Sequence, residues 1–224
     1  MAVTLQNFGG KLMKLARREL LRDRFLLEAK RWVHDKGDKT LRLDYDLNES
    51  SIVLDVGGYE GDFAAEIYER YGSTVHIFEP VPSFHARCVS RFADNPKVIS
   101  HCFGLSDKAG SFPISVSANG SSFVNHSNEH ETLAAELRSI VDTLAELNLQ
   151  RIDLLKINIE GGEYEILPAC IDAKWMQRIR NIQVQFHNFV ENADVKRNAI
   201  RSSLSETHNE DWCYEYIWEG WSIR

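Results

Sequence analysis

The sequence predicts an α/β fold built on a mostly parallel sheet with helices on both faces. Three observations carry this. Short β-favouring aliphatic runs alternate with amphipathic helical stretches along most of the chain, which is the pattern of repeated β-α-β units. The run S-I-V-L-D-V at residues 51–56 passes directly into three glycines, Gly57, Gly58 and Gly61, the composition of a buried strand that turns sharply into a helix beside a ligand. Residues 73–79, S-T-V-H-I-F-E, then close the unit with a strand ending in Glu79, about twenty residues beyond the glycines, where a carboxylate can accept hydrogen bonds from a ribose diol.

Taken in order, residues 1–40 hold ten Lys or Arg against five Asp or Glu, so this segment is +5 and the remainder −12. Its apolar positions Leu12, Leu15, Ala16, Leu21, Phe25, Ala29, Trp32 and Val33 recur at helical spacing. A basic amphipathic helix of this kind suits peripheral contact with an anionic membrane. It suits a lid, or a helix packed across a domain, equally well, and we take the lid reading. The expected organisation is a helical extension over residues 1–45 and one domain over residues 46–224.

Residues 62–72 predict the first helix of the domain, and residues 82–95 the second, with Pro82 in its first turn and Asn95-Pro96 ending it. Residues 98–105 read as a third strand, and residues 112–117 alternate like an exposed one. Residues 118–131, rich in Asn, Ser and His, read as a polar loop; its His126 is either an acceptor-recognition group or simply solvated. Residues 131–148 predict a helix with Leu133, Leu137, Ile140, Val141, Leu144 and Leu147 along one side. A fourth strand follows at 151–158, a turn and short helix at 161–170, a fifth strand at 181–187, a helix at 193–207 and a final aromatic strand at 212–218. Ligands in such sheets sit at the carboxyl ends of the strands, where Asp55, Glu79, Asn158 and His187 fall.

The 224 residues are 43% hydrophobic with a formal charge of −7, enough apolar material for one sizeable core and a poor balance for coating nucleic acid. Cys88, Cys102, Cys170 and Cys213 are widely spaced, form no C-x-x-C pair, and read as reduced core thiols. There is no apolar run of about eighteen residues. Lys11, Lys14, Arg17 and Arg18 interrupt any signal-like segment, so the expected location is cytoplasmic.

The glycine spacing lacks the dinucleotide pattern G-x-G-x-x-G, although an NAD(P)-dependent oxidoreductase stays open as an alternative. The D-x-G-x-x-x-G of residues 55–61 instead resembles motif I of class I S-adenosylmethionine-dependent methyltransferases. A longer stretch, I-D-L-L-K-I-N-I-E-G-G-E-Y-E-I-L at 152–167, is more specific. With L-D-V-G-G-Y-E-G, the F-E-P of 78–80 and the G-L-S-D of 104–107, it makes residues 52–191 resemble the FkbM family of methyltransferases.

That resemblance implies a Rossmann-like class I methyltransferase fold, S-adenosylmethionine as cofactor, and methyl transfer to a hydroxyl of a sugar, glycan precursor or secondary metabolite. It implies that Asp55, Gly57, Gly58 and Gly61 face the methionine part of the cofactor, that Glu79 holds the ribose, and that Gly104 and Ser106 lie by the adenine. Tyr59, Pro80, Leu105 and Asn158 complete the expected cofactor-binding set. Where the family usually has aspartate, this chain has Asn158. An amide keeps hydrogen-bonding capacity but cannot act as base and is a poor ligand for a hard cation; no metal is expected. The substitution also motivates a second alternative, a binding module that keeps the fold without turnover.

Two residues are the catalytic candidates. His187 ends the fifth strand at the ligand edge and is the first choice of base, against the plainer role of capping a strand. Glu160 follows the fourth strand in a glycine turn, placed to orient the acceptor hydroxyl, take its proton or hold the cofactor ammonium. Glu163 lies three residues further on and could pair with Glu160. Lys156 sits mid-strand and needs a buried partner, most simply a structural ion pair. The aromatic run Trp212, Tyr214, Tyr216, Trp218 and Trp221 reads as sheet packing before sugar stacking.

Overall fold

The structure is a computed structural model that describes residues 23–117, 120–122 and 132–224. In chain order its elements are α1 (Arg24–His34), β1 (Ile52–Val56), α2 (Asp62–Tyr71), β2 (Thr74–Phe78), α3 (Pro82–Arg91), β3 (Val98–His101), β4 (Gly104–Ser106), β5 (Gly110–Ser117), β6 (Gly120–Ser122) and β7 (Thr132–Ser139). There follow α4 (Ile140–Glu146), β8 (Leu154–Ile157), α5 (Glu163–Asp172), β9 (Asn181–Val184), α6 (Ala193–Leu204), β10 (His208–Tyr214) and β11 (Trp218–Ile223).

Seven strands form the main sheet in the order β10-β11-β9-β8-β1-β2-β3. The five strands from β9 to β3 are parallel, and β11 and β10 add antiparallel. Central parallel strands are covered on both faces, which is why Val53, Leu54, Val56, Leu154, Leu155 and Ile157 are all fully buried. Helix α2 starts at Gly61 (φ 80°) and ends at Gly72 (φ 64°), both in the left-handed region that glycine adopts without strain.

Three expectations are corrected here. The helix predicted over 131–148 is half strand: β7 pairs antiparallel with β5 from Gly110↔Leu137 to Ser115↔Thr132. Ala135 and Leu137 point inward while Ala134 and Glu136 are exposed, a period of two. The helix proper begins at Ile140, where the Ser139 side chain caps it by accepting from Asp142 N.

The predicted third strand is two strands. The chain leaves the main sheet after His101, and Gly104–Ser106 pairs in parallel with residues 137–139 in a second sheet of order β4-β7-β5-β6. This sheet interrupts the strict strand-helix alternation. The predicted aromatic strand is a hairpin of β10 and β11, turning at Tyr216 with φ 60°.

Trp218 and Trp221 are buried, as sheet packing requires. Trp32 of α1 sits 5.8 Å from Trp212 and edge-on to Tyr214 at 5.0 Å, fastening the helix to this hairpin. All four cysteines are free, but only Cys88 and Cys170 are buried; Cys102 is exposed and Cys213 partly so. Burial pushes the Cys88 and Cys170 thiols up to about 12. Within the predicted polar loop, Gly120–Ser122 is strand β6, while His126 and the segment before residue 23 lie outside the described residues. Among the described residues, no helix is long and apolar enough to cross a membrane.

Candidate active site

The carboxyl end of β1 is pinned from both sides. Gly57 N and Gly58 N donate to Phe78 O of β2 at 3.0 and 3.4 Å. A Cβ on Gly57 (φ 87°) would stand 2.0 Å from Asn158 O, and one on Gly58 would stand 2.1 Å from Ile77 Cγ2. The turn therefore presents bare backbone to whatever lies above it.

Beneath the turn, Lys156 Nζ donates to Asp55 Oδ1 at 2.7 Å and to Gly57 O at 2.8 Å. Burial holds the ammonium below the ordinary lysine value, against the pull of Asp55 in the other direction. The partner that Lys156 required is thus Asp55, which is itself 0% exposed and whose Oδ2 has no hydrogen-bond partner among the described residues. Asp55 supports the glycine turn from below.

Glu79 follows β2 and is 3% exposed. Its Oε2 accepts from Tyr59 N at 2.8 Å and its Oε1 from Val81 N at 2.9 Å. Each oxygen keeps a second lone pair. Burial pushes this carboxyl up to about 7, and the two amide donors and Lys156 pull it back only in part. Tyr59 is held at φ 50° with its ring 4.5 Å from Phe84, and Pro80 packs against Gly104.

The third group is assembled by Glu163, the first residue of α5 and fully buried. Its Oε2 accepts from Gly161 N at 2.8 Å; its Oε1 accepts from His187 N at 2.8 Å and lies 3.0 Å from His187 Nδ1. One carboxylate thereby joins the glycine turn after β8 to the segment that follows β9, which ends at Val184 and not, as the sequence suggested, at His187. With Nδ1–H donating to Glu163, His187 Nε2 is left as an acceptor. Tyr164 Oη fixes the same residue by donating to His187 O at 3.0 Å. The pairing of Glu163 with Glu160 is not formed. Glu160 stands outside α5 with φ 51°, a conformation strained for a non-glycine residue.

Glu160, Gly161, Gly162, Leu105, Ser106 and Phe112 line a cleft of about 280 Å³. Ser106 Oγ donates to Glu165 Oε2 at 2.7 Å on its wall. Leu105 and Ser106 thus share a space with the turn after β8, while Gly104 is close-packed, a Cβ there meeting Leu137 at 2.5 Å. Asn158 is half-buried at the end of β8. Among the described residues, no cluster of three or more His, Cys, Asp or Glu has metal-binding geometry.

The structure brings Gly57, Gly58, Tyr59, Glu79, Asn158, Glu160 and His187 to one edge of the sheet. A Cβ-free turn beside a carboxylate with spare lone pairs fits a ligand carrying a ribose. The residue that sequence reasoning misassigned is Glu163. Its contact with His187 spans 24 positions, and the only local sign was an acid opening a helix after a glycine pair.

The chain is similar to known proteins in sequence and in fold. A family model for the methyltransferase FkbM domain matches residues 55–211. Methyltransferase 1 of Beauveria bassiana (strain ARSEF 2860) is 26% identical over 166 residues, which cover 61% of this chain and 65% of that protein, so the match spans slightly less than two thirds of the relative's length. Among solved structures, a chain of the fibrillarin/Nop5p complex superposes with a TM-score of 0.50 at 11% identity, over 80% of this chain and 74% of the other. SMU.1697c of Streptococcus mutans, solved with SAH, gives 0.46 at 9% identity over 80% and 91%. The fibrillarin likeness is one of fold.

Proposed function

This chain belongs to the FkbM family of methyltransferases, and from that premise we propose that it transfers a methyl group from S-adenosylmethionine to a hydroxyl of a sugar, glycan precursor or secondary metabolite. The observation that carries this is the imidazole of His187, held through Nδ1 by the buried Glu163 at the ligand edge of the sheet, with no hydrogen bond to its Nε2 among the described residues.

The glycine turn of Gly57, Gly58 and Gly61 would take the amino-acid end of the donor, Glu79 its ribose hydroxyls, and Leu105 and Ser106 its base, with Asp55 and Lys156 holding the turn from below. When bound, the donor supplies a methyl already activated on a sulfonium. The protein's main task is alignment, a term that reaches about 7 to 11 kcal/mol in favourable cases.

His187 Nε2 accepts the hydroxyl proton of the acceptor as its oxygen gains the methyl, and Glu163 stabilises the imidazolium that results. Glu160, held in the left-handed region at the turn after β8, orients that hydroxyl. Asn158 acts as a positioning group, since an amide cannot serve as base.

The test is transfer of labelled methyl to a panel of sugars, glycosides and hydroxylated metabolites by wild type and by His187→Ala. The variant should lose about 10² to 10⁴ in kcat and keep its affinity for S-adenosylhomocysteine. Turnover within about threefold of wild type, less than general bases ordinarily contribute, would remove His187 from the chemistry.

A further inference from the structure

A second cleft, of about 620 Å³, opens beside the first, within the roughly 300 to 1,000 Å³ of small-molecule sites. Its walls come from the first turn of α1, the loop that follows His187, the first turn of α6 and the β10–β11 turn. Val190 lines both clefts, so the two meet at this one side chain.

The walls are set by interactions that reach into the core. Tyr216 Oη donates to Asp194 Oδ1 at 2.5 Å, and Arg24 pairs with Glu215 at 2.6 Å, tying α1 to the hairpin. Glu215 is in turn held at 3.3 Å by Arg197, which is 5% exposed and pairs with Glu219. Asn192 and Tyr216 both stand in the left-handed region, at φ 56° and 60°, a strain that surrounding structure must hold in place. Asn192 occupies the N-cap of α6 without bonding its own helix through its side chain, which leaves that amide for the cleft.

The chemistry of the lining is selective. Among the described lining residues the charged groups are Asp23, Asp194, Glu215 and Arg24, and Glu215 is paired with both Arg24 and Arg197. Planar carboxylate and amide groups, with Asn188 and Asn192 supplying both donors and acceptors, match adjacent neutral hydroxyls. Phe25, 40% exposed, and Tyr216 offer ring faces to a C–H surface.

We propose that the second cleft is a subsite for a neutral carbohydrate unit. The methyl acceptor is then an oligosaccharide whose modified sugar lies by His187 and Glu160 and whose neighbouring sugar crosses Val190 to lie among Asn192, Asp194, Tyr216 and Phe25. This rests on the methyl-transfer reading of the first cleft.

The experiment titrates the full chain, loaded with S-adenosylhomocysteine, with neutral gluco-, manno- and galacto-oligosaccharides of increasing length from the monosaccharide, and with a homopolymeric RNA. At least one sugar series should gain about fivefold or more in affinity on lengthening, the size of one net hydrogen bond. Phe25→Ala and, separately, Asn192→Ala should abolish that gain while affinity for S-adenosylhomocysteine is unchanged. Affinity independent of length, a gain that survives both variants, or RNA bound in preference to every sugar would overturn the subsite. Failure of folded protein to bind S-adenosylhomocysteine would instead defeat the donor assignment, because saccharide binding is read directly on the same sample.

Discussion

Cofactor affinity is expected to follow the ionisation of Glu79. This carboxylate is buried and its amide donors only partly offset the desolvation, so its proton is lost at about 7 rather than at the ordinary 4.5. If the anion alone accepts the ribose hydroxyls, the apparent Kd carries a factor for the protonated fraction that is about 11 at pH 6, 2 at pH 7 and 1.1 at pH 8. Affinity for S-adenosylhomocysteine should therefore rise about tenfold between pH 6 and pH 8. Stability of the unliganded protein runs the other way. Between 4.5 and about 7 the native state binds more protons at Glu79 than the unfolded chain does, so this residue makes stability fall as pH rises through that window. The assay is calorimetric titration at three pH values on wild type and Glu79→Gln, whose amide cannot ionise; the difference between the two slopes isolates Glu79 from every other titrating group. Equal slopes in the two proteins, or a flat wild-type profile, would refute the ribose assignment.

Three further outcomes follow from the same geometry. Glu163→Gln keeps the shape of the contact to His187 but removes its charge, so kcat should fall by about tenfold or more with KM little changed; a kcat within about threefold of wild type would leave Glu163 a purely structural role. Asn158→Asp should change the rate by less than about tenfold, below what a general base ordinarily contributes, and a hundredfold gain would mark the present site as a degraded one. Lys156→Met strands the fully buried Asp55 without its partner, so denaturant unfolding should show a loss of about 3 to 5 kcal/mol; a loss under about 1 kcal/mol, the scale of a surface pair, would mean the pair does not hold the turn.

Much of the ligand edge was legible in the sequence because its residues make demands that few others meet. Gly57 has no room for a Cβ and a positive φ, and that requirement shows as glycine after a strand run whatever the rest of the fold does. Lys156 was readable as half of an ion pair because a buried ammonium needs a counter-charge. The identity of the partner was not, since Asp55 lies on a neighbouring strand 101 positions away. Residues 132–139 were misread for a related reason. Leucines four apart satisfy a helix, and they equally satisfy every second inward position of a strand; the choice is made by β5, which pairs with the segment across the second sheet. The hairpin of β10 and β11 hid in the same way, because aromatic alternation continues on both sides of the turn at Tyr216. The Glu163–His187 contact exists only once the start of α5 meets the segment that follows β9.

The central claim is that a ribose-bearing methyl donor sits on the glycine turn, and the most direct test is calorimetric titration of the purified protein with S-adenosylmethionine and S-adenosylhomocysteine, with NAD and NADP as controls. The account predicts binding of the first two in the micromolar range, about 8 kcal/mol, and none of the controls. Folded protein that binds neither methyl donor nor product, or that binds NAD instead, would contradict it.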